Sequence, residues 1–140
     1  GGGGAGRALR LTVELLAGLR ARREAGEDLR LYYLSNMPSP YARVLEYRHA
    51  FFQWFDGGIF SGDVQIIKPQ REIYDLLAAR YRLAAAETVF IDDSLVNVLA
   101  AREIGWQAIH CERPSALPAQ LAAYLPVSST LSTSKPSVRA

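Results

Sequence analysis

The sequence holds a single cysteine, Cys111, so it cannot close an intrachain disulfide, and a reducing, cytoplasmic setting is the simplest expectation. It holds two histidines, His49 and His110, and neither stands at metal-ligand spacing from the other or from Cys111. Both are read as structural or surface residues. Net charge is also scarce: 16 Lys and Arg stand against 14 Asp and Glu, leaving +2. The arginines are scattered rather than clustered, which argues against nucleic acid or a membrane surface as partner. No apolar run reaches the roughly 20 residues of a membrane span. The N-terminus lacks the basic, apolar and small-residue order of a signal peptide. The oligomeric state leaves no trace in the sequence.

What is present is ordinary globular composition, 49% hydrophobic and 21% charged over 140 residues, enough for one domain with one core. Residues 1–10 open on GGGGAG, and successive glycines are poor helix and strand formers, so a flexible start is expected. Residues 127–140 read VSSTLSTSKPSVRA, with little to bury, and a disordered tail is expected. The foldable core is placed at 11–126.

Within that core, helical and apolar extended segments alternate. Leu11–Arg23 carries an apolar stripe of Val13, Leu15, Leu16 and Leu19, with arginines late where the helix dipole favours cations, and Gly26 ends it. Leu29–Ser35 is a short apolar run stopped by Asn36, Pro38 and Pro40, as in a buried parallel strand. Tyr41–Phe55 suits a helix, and Ile59–Ile67 short extended structure turning at Ser61-Gly62-Asp63. Pro69 opens a helix through Arg82. Glu87–Ile91 is a second apolar strand ending at Asp92-Asp93; Asn97–Ile104 is helical with Gly105 as its cap; Trp106–His110 is a third strand; Ala116–Leu125 is a last helix. This alternation predicts an α/β fold with a parallel sheet.

Sites in such sheets form beyond the carboxyl ends of the strands. Ser35 and Asn36 stand at one such end, Asp92 and Asp93 at another, and Lys68 just before a helix. A hydroxyl, an ammonium and paired carboxylates suit a phosphoryl group with Mg²⁺. The carboxylates offer hard oxygen ligands, the lysine offsets phosphoryl charge, and the hydroxyl with nearby backbone N–H groups holds phosphoryl oxygens. Each residue also has a plainer reading: Ser35 as a turn former, Lys68 as a solvated lysine, Asp92-Asp93 as a cap on the next helix.

The ordered segments LYYLSN, SGDVQIIKP and TVFIDDSLVNVLAAREIGWQAIH resemble the second, third and fourth motifs of the haloacid dehalogenase-like (HAD) hydrolases. The resemblance runs from about Leu11 to Pro114. It implies a Rossmannoid three-layer α/β/α parallel sheet. It implies Ser35 and Lys68 as catalytic groups, Ser35, Asn36 and Lys68 as contacts to substrate, and Asp92 and Asp93 as ligands to Mg²⁺. Asn97 matches an asparagine that follows the acidic pair and is read as structural. The acidic pair favours phosphatases, acting on a small phosphorylated substrate, over metal-free dehalogenases.

One departure is large. The family's first motif is Asp-x-Asp, the source of its nucleophile and general acid/base, and these 140 residues contain no Asp-x-Asp. Asp56, in WFDGGIF, follows a helical segment rather than an apolar strand and is read as structural. The resemblance puts the missing strand in the middle of the sheet, between those ending in Ser35 and Asp92. The expectation is therefore a fold truncated at its N-terminus, lacking that first, central strand and the cap, with the two neighbouring strands closing up directly, and a polypeptide without turnover by itself. The alternative is a non-catalytic HAD-like module that binds a ligand or a protein. A receiver-type signalling domain uses similar groups but puts its acidic pair first and its lysine last, the reverse of this order.

Overall fold

The computed structural model describes residues 2–125 and 137–139. In chain order they form α1 (Gly2–Glu24), β1 (Arg30–Ser35), α2 (Ser39–Arg48), β2 (Gly57–Phe60), the one-turn α3 (Ser61–Val64), α4 (Arg71–Tyr81), β3 (Thr88–Asp92), α5 (Leu95–Glu103), β4 (Gln107–His110), α6 (Leu117–Ala122) and β5 (Ser137–Arg139). The strands make one parallel sheet in the order β2-β1-β5-β3-β4.

The sheet is covered on both faces. Alternating side chains along β3 divide the core: Val89 and Ile91 pack with Leu31, Ile109, Leu19 of α1 and Leu121 of α6. Phe90 packs on the other face with Leu34, Ile73, Tyr74, Leu77, Val98 and Trp106 beneath α4 and α5. Period-two alternation with apolar residues on both sides is what a strand covered twice requires. The result is the three-layer α/β/α architecture.

The expected direct closure of β1 on β3 is corrected. β1 and β3 do not close on each other, because Ser137–Arg139 inserts between them and pairs with both. Two buried parallel strands present N–H and C=O groups that are costly to leave unpaired, and an inserted strand satisfies a row on each side. The same three residues depart from the expected disordered tail, whose remainder, 127–136 and 140, lies outside the described residues. The glycine-rich start is also helical, since α1 begins at Gly2. Glycine tolerates helical backbone angles at a cost of about 1 kcal/mol each relative to alanine, and extending an existing helix avoids the cost of nucleation.

The long helix expected through Phe55 breaks at His49, whose backbone is extended, and continues as a 3₁₀ segment, Ala50–Trp54. Phe52, Phe55 and Phe60 then gather around the Tyr33 ring, with centroids 5.5, 5.4 and 4.7 Å away. Of the aromatic group Phe51, Phe52, Trp54, Phe55 and Phe60, Phe60 alone is fully buried.

Candidate functional site

The carboxyl ends of β1 and β3 face a crevice of about 640 Å³, and all five residues singled out by sequence line it: Ser35, Asn36, Lys68, Asp92 and Asp93. Its opposite wall is α1, through Leu15, Leu16 and Leu19, joined by Leu117 of α6.

Lys68 is the centre of the polar end. Its ammonium donates to the Leu34 carbonyl at 2.7 Å and to Asp92 Oδ2 at 2.7 Å. Both side chains of that ion pair are nearly sequestered, 9% and 7% exposed. The ammonium also lies 5.6 Å from the centre of the Phe90 ring. A lysine so held is no solvated surface residue. Its position is set by Asn36, whose amide reads both sides of the Lys68 peptide: Lys68 N–H donates to Asn36 Oδ1 at 2.8 Å, and Asn36 Nδ2 donates to Lys68 O at 3.1 Å. Asn36 thus stands at the crevice with its amide engaged in placing the lysine.

Asp92 accepts from three directions. Besides Lys68, the Ser94 N–H donates to Oδ1 at 2.8 Å and Asn97 Nδ2 to Oδ2 at 3.3 Å. Burial pushes its carboxyl up, but Lys68 and the Ser94 N–H outweigh burial and hold it below the ordinary carboxylate value. Asn97 is buried, and its own carbonyl accepts from the Tyr74 hydroxyl at 2.8 Å. Burial, and then the Asp92 charge, push that phenol far above its usual range. Asp93 is exposed beside the crevice. Its backbone carbonyl accepts from His110 Nε2 at 3.0 Å, which ties the acidic loop to β4.

How the loop after β1 is pinned could not be read from the residues alone. Met37 N–H donates to Ser61 Oγ at 2.8 Å, and Gly62 N–H to Met37 O at 2.9 Å. A Cβ on Gly62 would fall on the backbone of residues 37–39, so glycine is needed for that approach. Ser61 and Gly62 look like turn residues in sequence, and only the β1–β2 pairing shows what they hold. Asp56 lies away from the crevice. It takes the Leu31 N–H at 2.8 Å and Arg23 Nη1 at 2.8 Å, at the amino end of β1.

Among the described residues no group of three or more His, Cys, Asp or Glu could hold a metal by itself. Two adjacent carboxylates, Asp92 and Asp93, line the polar end of the crevice, with Glu112 at its rim. That matches Mg²⁺, which commonly takes one or two carboxylates and completes its shell with waters and phosphate oxygens.

Fold and site together define an α/β protein with a lysine–carboxylate crevice at the carboxyl edge of a parallel sheet. The family model for haloacid dehalogenase-like hydrolases matches residues 9–105. The chain belongs to that family. It is 34% identical over 85 residues, 61% of this chain and 43% of the relative, to the sesquiterpene phosphatase astK of Aspergillus oryzae. It is 30% identical over 88 residues, 63% of this chain and 17% of the relative, to the drimenol cyclase drtB of Aspergillus calidoustus. The chain thus spans less than half the length of either curated relative. In fold it matches the crystal structure of an uncharacterized protein from Corynebacterium glutamicum, with a TM-score of 0.64 and 22% identity over 79% of this chain and 80% of the other. Among the described residues no helix is long and apolar enough to cross a membrane.

Proposed function

We propose that this crevice is the phosphate- and metal-holding half of an Mg²⁺-dependent phosphoric monoester hydrolase acting on a small phosphorylated substrate. The observation that carries the reading is the buried Lys68 ammonium, fixed between the Leu34 carbonyl and Asp92 at the crevice floor. A cation held there in advance offsets phosphoryl charge without having to reorganise when the ester arrives. Ser35, half-buried at the end of β1, supplies a hydroxyl to a phosphoryl oxygen. Asn36 keeps Lys68 in place. Asp92 and Asp93 are the ligands to Mg²⁺, which when bound neutralises charge on the phosphoryl oxygens. The single free Cys111 supports a cytoplasmic setting for the same reading.

The 140 residues contain no Asp-x-Asp, so the polypeptide by itself is expected to bind the phosphoryl group without turning it over. A second reading, a non-catalytic binding module, is favoured by one observation. Ser137–Arg139, which carries no carboxylate, occupies the sheet position where the family resemblance puts the nucleophile strand. Hydrolysis of p-nitrophenyl phosphate with Mg²⁺ tests both. The expected result is no activity above a protein-free blank. Activity that is lost on Asp93→Ala would show a complete active centre in this polypeptide and overturn that expectation.

A further inference from the structure

The crevice has two unlike ends. The polar end carries Lys68 and the acidic pair; the far wall is aliphatic, the half-buried Leu15 standing over the edges of the core residues Leu16, Leu19, Ile91 and Leu117. These side chains belong to two helices and a strand that meet only through the fold. At about 640 Å³ the space lies within the roughly 300–1,000 Å³ of organic-ligand pockets, far more than a bare phosphoryl group needs.

We propose that the leaving group of the substrate is a long aliphatic alcohol: the crevice takes an alkyl or isoprenoid-like phosphate monoester with its phosphoryl end at Lys68 and its hydrocarbon chain along α1. This rests on the phosphate reading above and adds the chemistry of the organic half. A sugar or other polyol phosphate would bring hydroxyls to this wall. A hydroxyl moved from water to aliphatic surface without a partner costs about 1–3 kcal/mol on mutational scales. Glu112 also lines the crevice, at its rim, with its side chain 75% exposed and 3.4 Å from His110. A hydrocarbon has no such debt, and each methylene it buries tightens binding about fourfold.

Titration calorimetry on the 140-residue protein with Mg²⁺, using methyl, butyl and octyl phosphate, glucose 6-phosphate and 1-octanol, tests this. Affinity is expected to climb along the alkyl series, with glucose 6-phosphate well below octyl phosphate. Leu15 is half-buried, so Leu15→Gln is expected to fold, as checked by far-UV circular dichroism, and to flatten the climb. Leu15→Met is expected to restore it. Equal affinity across the alkyl series, or glucose 6-phosphate binding as tightly as octyl phosphate, would overturn the proposal while leaving the phosphate reading intact. 1-Octanol binding as tightly as octyl phosphate would overturn the phosphate reading and, with it, the placement of the head group.

Discussion

Asp56 and Asp92 are built alike and sit at opposite ends of one sheet. Each accepts a backbone N–H, from Leu31 and from Ser94, both at 2.8 Å. Each meets a cation, Arg23 at 2.8 Å and Lys68 at 2.7 Å. They differ in burial: the Asp56 side chain is 35% exposed and Asp92 7%. They differ also in what lies beyond them, solvent at the amino end of β1 and a crevice at the carboxyl end of β3. Water screens the first pair, so it anchors a loop and little else. The second pair is desolvated, so each partner is costly without the other, and a charge kept at a cavity edge is available to a ligand. A carboxylate–cation pair does not mark a site; its depth and the end of the sheet do.

Removing one cation from each pair should separate the two most sharply. Lys68→Met leaves a buried carboxylate uncompensated and is expected to lower stability by about 3–5 kcal/mol, read as a fall in the urea midpoint. Arg23→Met at the screened pair is expected to cost less than about 1 kcal/mol in the same assay. Equal losses would erase the distinction.

Losing the placement of Lys68 should cost less than losing Lys68. Asn36→Ala removes two hydrogen bonds to one peptide and is expected to cost about 1–3 kcal/mol. Denaturant unfolding reads the stability, and phosphate affinity should fall with it. An unchanged affinity would mean that Lys68 is positioned without Asn36.

Acid should loosen the buried pair. The Asp92 carboxyl is depressed in the folded state, from an ordinary value of 3.8. The stability it contributes is therefore present in full above the unfolded value and is lost as pH falls through the lower, folded one. Urea midpoints measured from pH 5 downward should fall, and Asp92→Asn should flatten that part of the profile. An acid limb that survives Asp92→Asn would place the pH sensitivity elsewhere.

The smallest effect expected is on Cys111. Burial first, and then the Asp93 charge, raise its thiol above the ordinary value. Iodoacetamide at neutral pH should label it more slowly than a free cysteine in the unfolded chain, as followed by mass spectrometry. Labelling as fast as in the unfolded chain would show the crevice wall open at that point.

Much of this was legible in sequence, and the reasons are local. Thr88–Asp92 is a short continuous apolar run that stops on two carboxylates, Asp92 and Asp93, so both the strand and its functional end could be read together. Ser35 and Asp92-Asp93 could be placed at one edge because parallel strands share a direction. Gly105, at φ 94°, capped its helix as expected. What stayed hidden is non-local. Nothing in SVR marks Ser137–Arg139 as a strand, because its partners Arg30–Tyr32 and Thr88–Phe90 lie far away in sequence and supply the reason for it. The break at His49 is set by aromatic packing around Tyr33 rather than by a helix-breaking residue. The apolar wall from α1 was read as core stripe, and its second use as a crevice lining depends on how far that helix stands from the edge of β1 and β3.

Backbone ¹H–¹⁵N NMR of the 140-residue protein titrated with inorganic phosphate and Mg²⁺ tests the central claim most directly, since it reads both ends of the sheet at once. The account predicts saturable shifts clustered at Ser35, Asn36, Lys68, Asp93 and Ser94, with Leu31 and Asp56 unmoved. No saturable shift, or shifts centred on Asp56 and Arg23 instead, would contradict it.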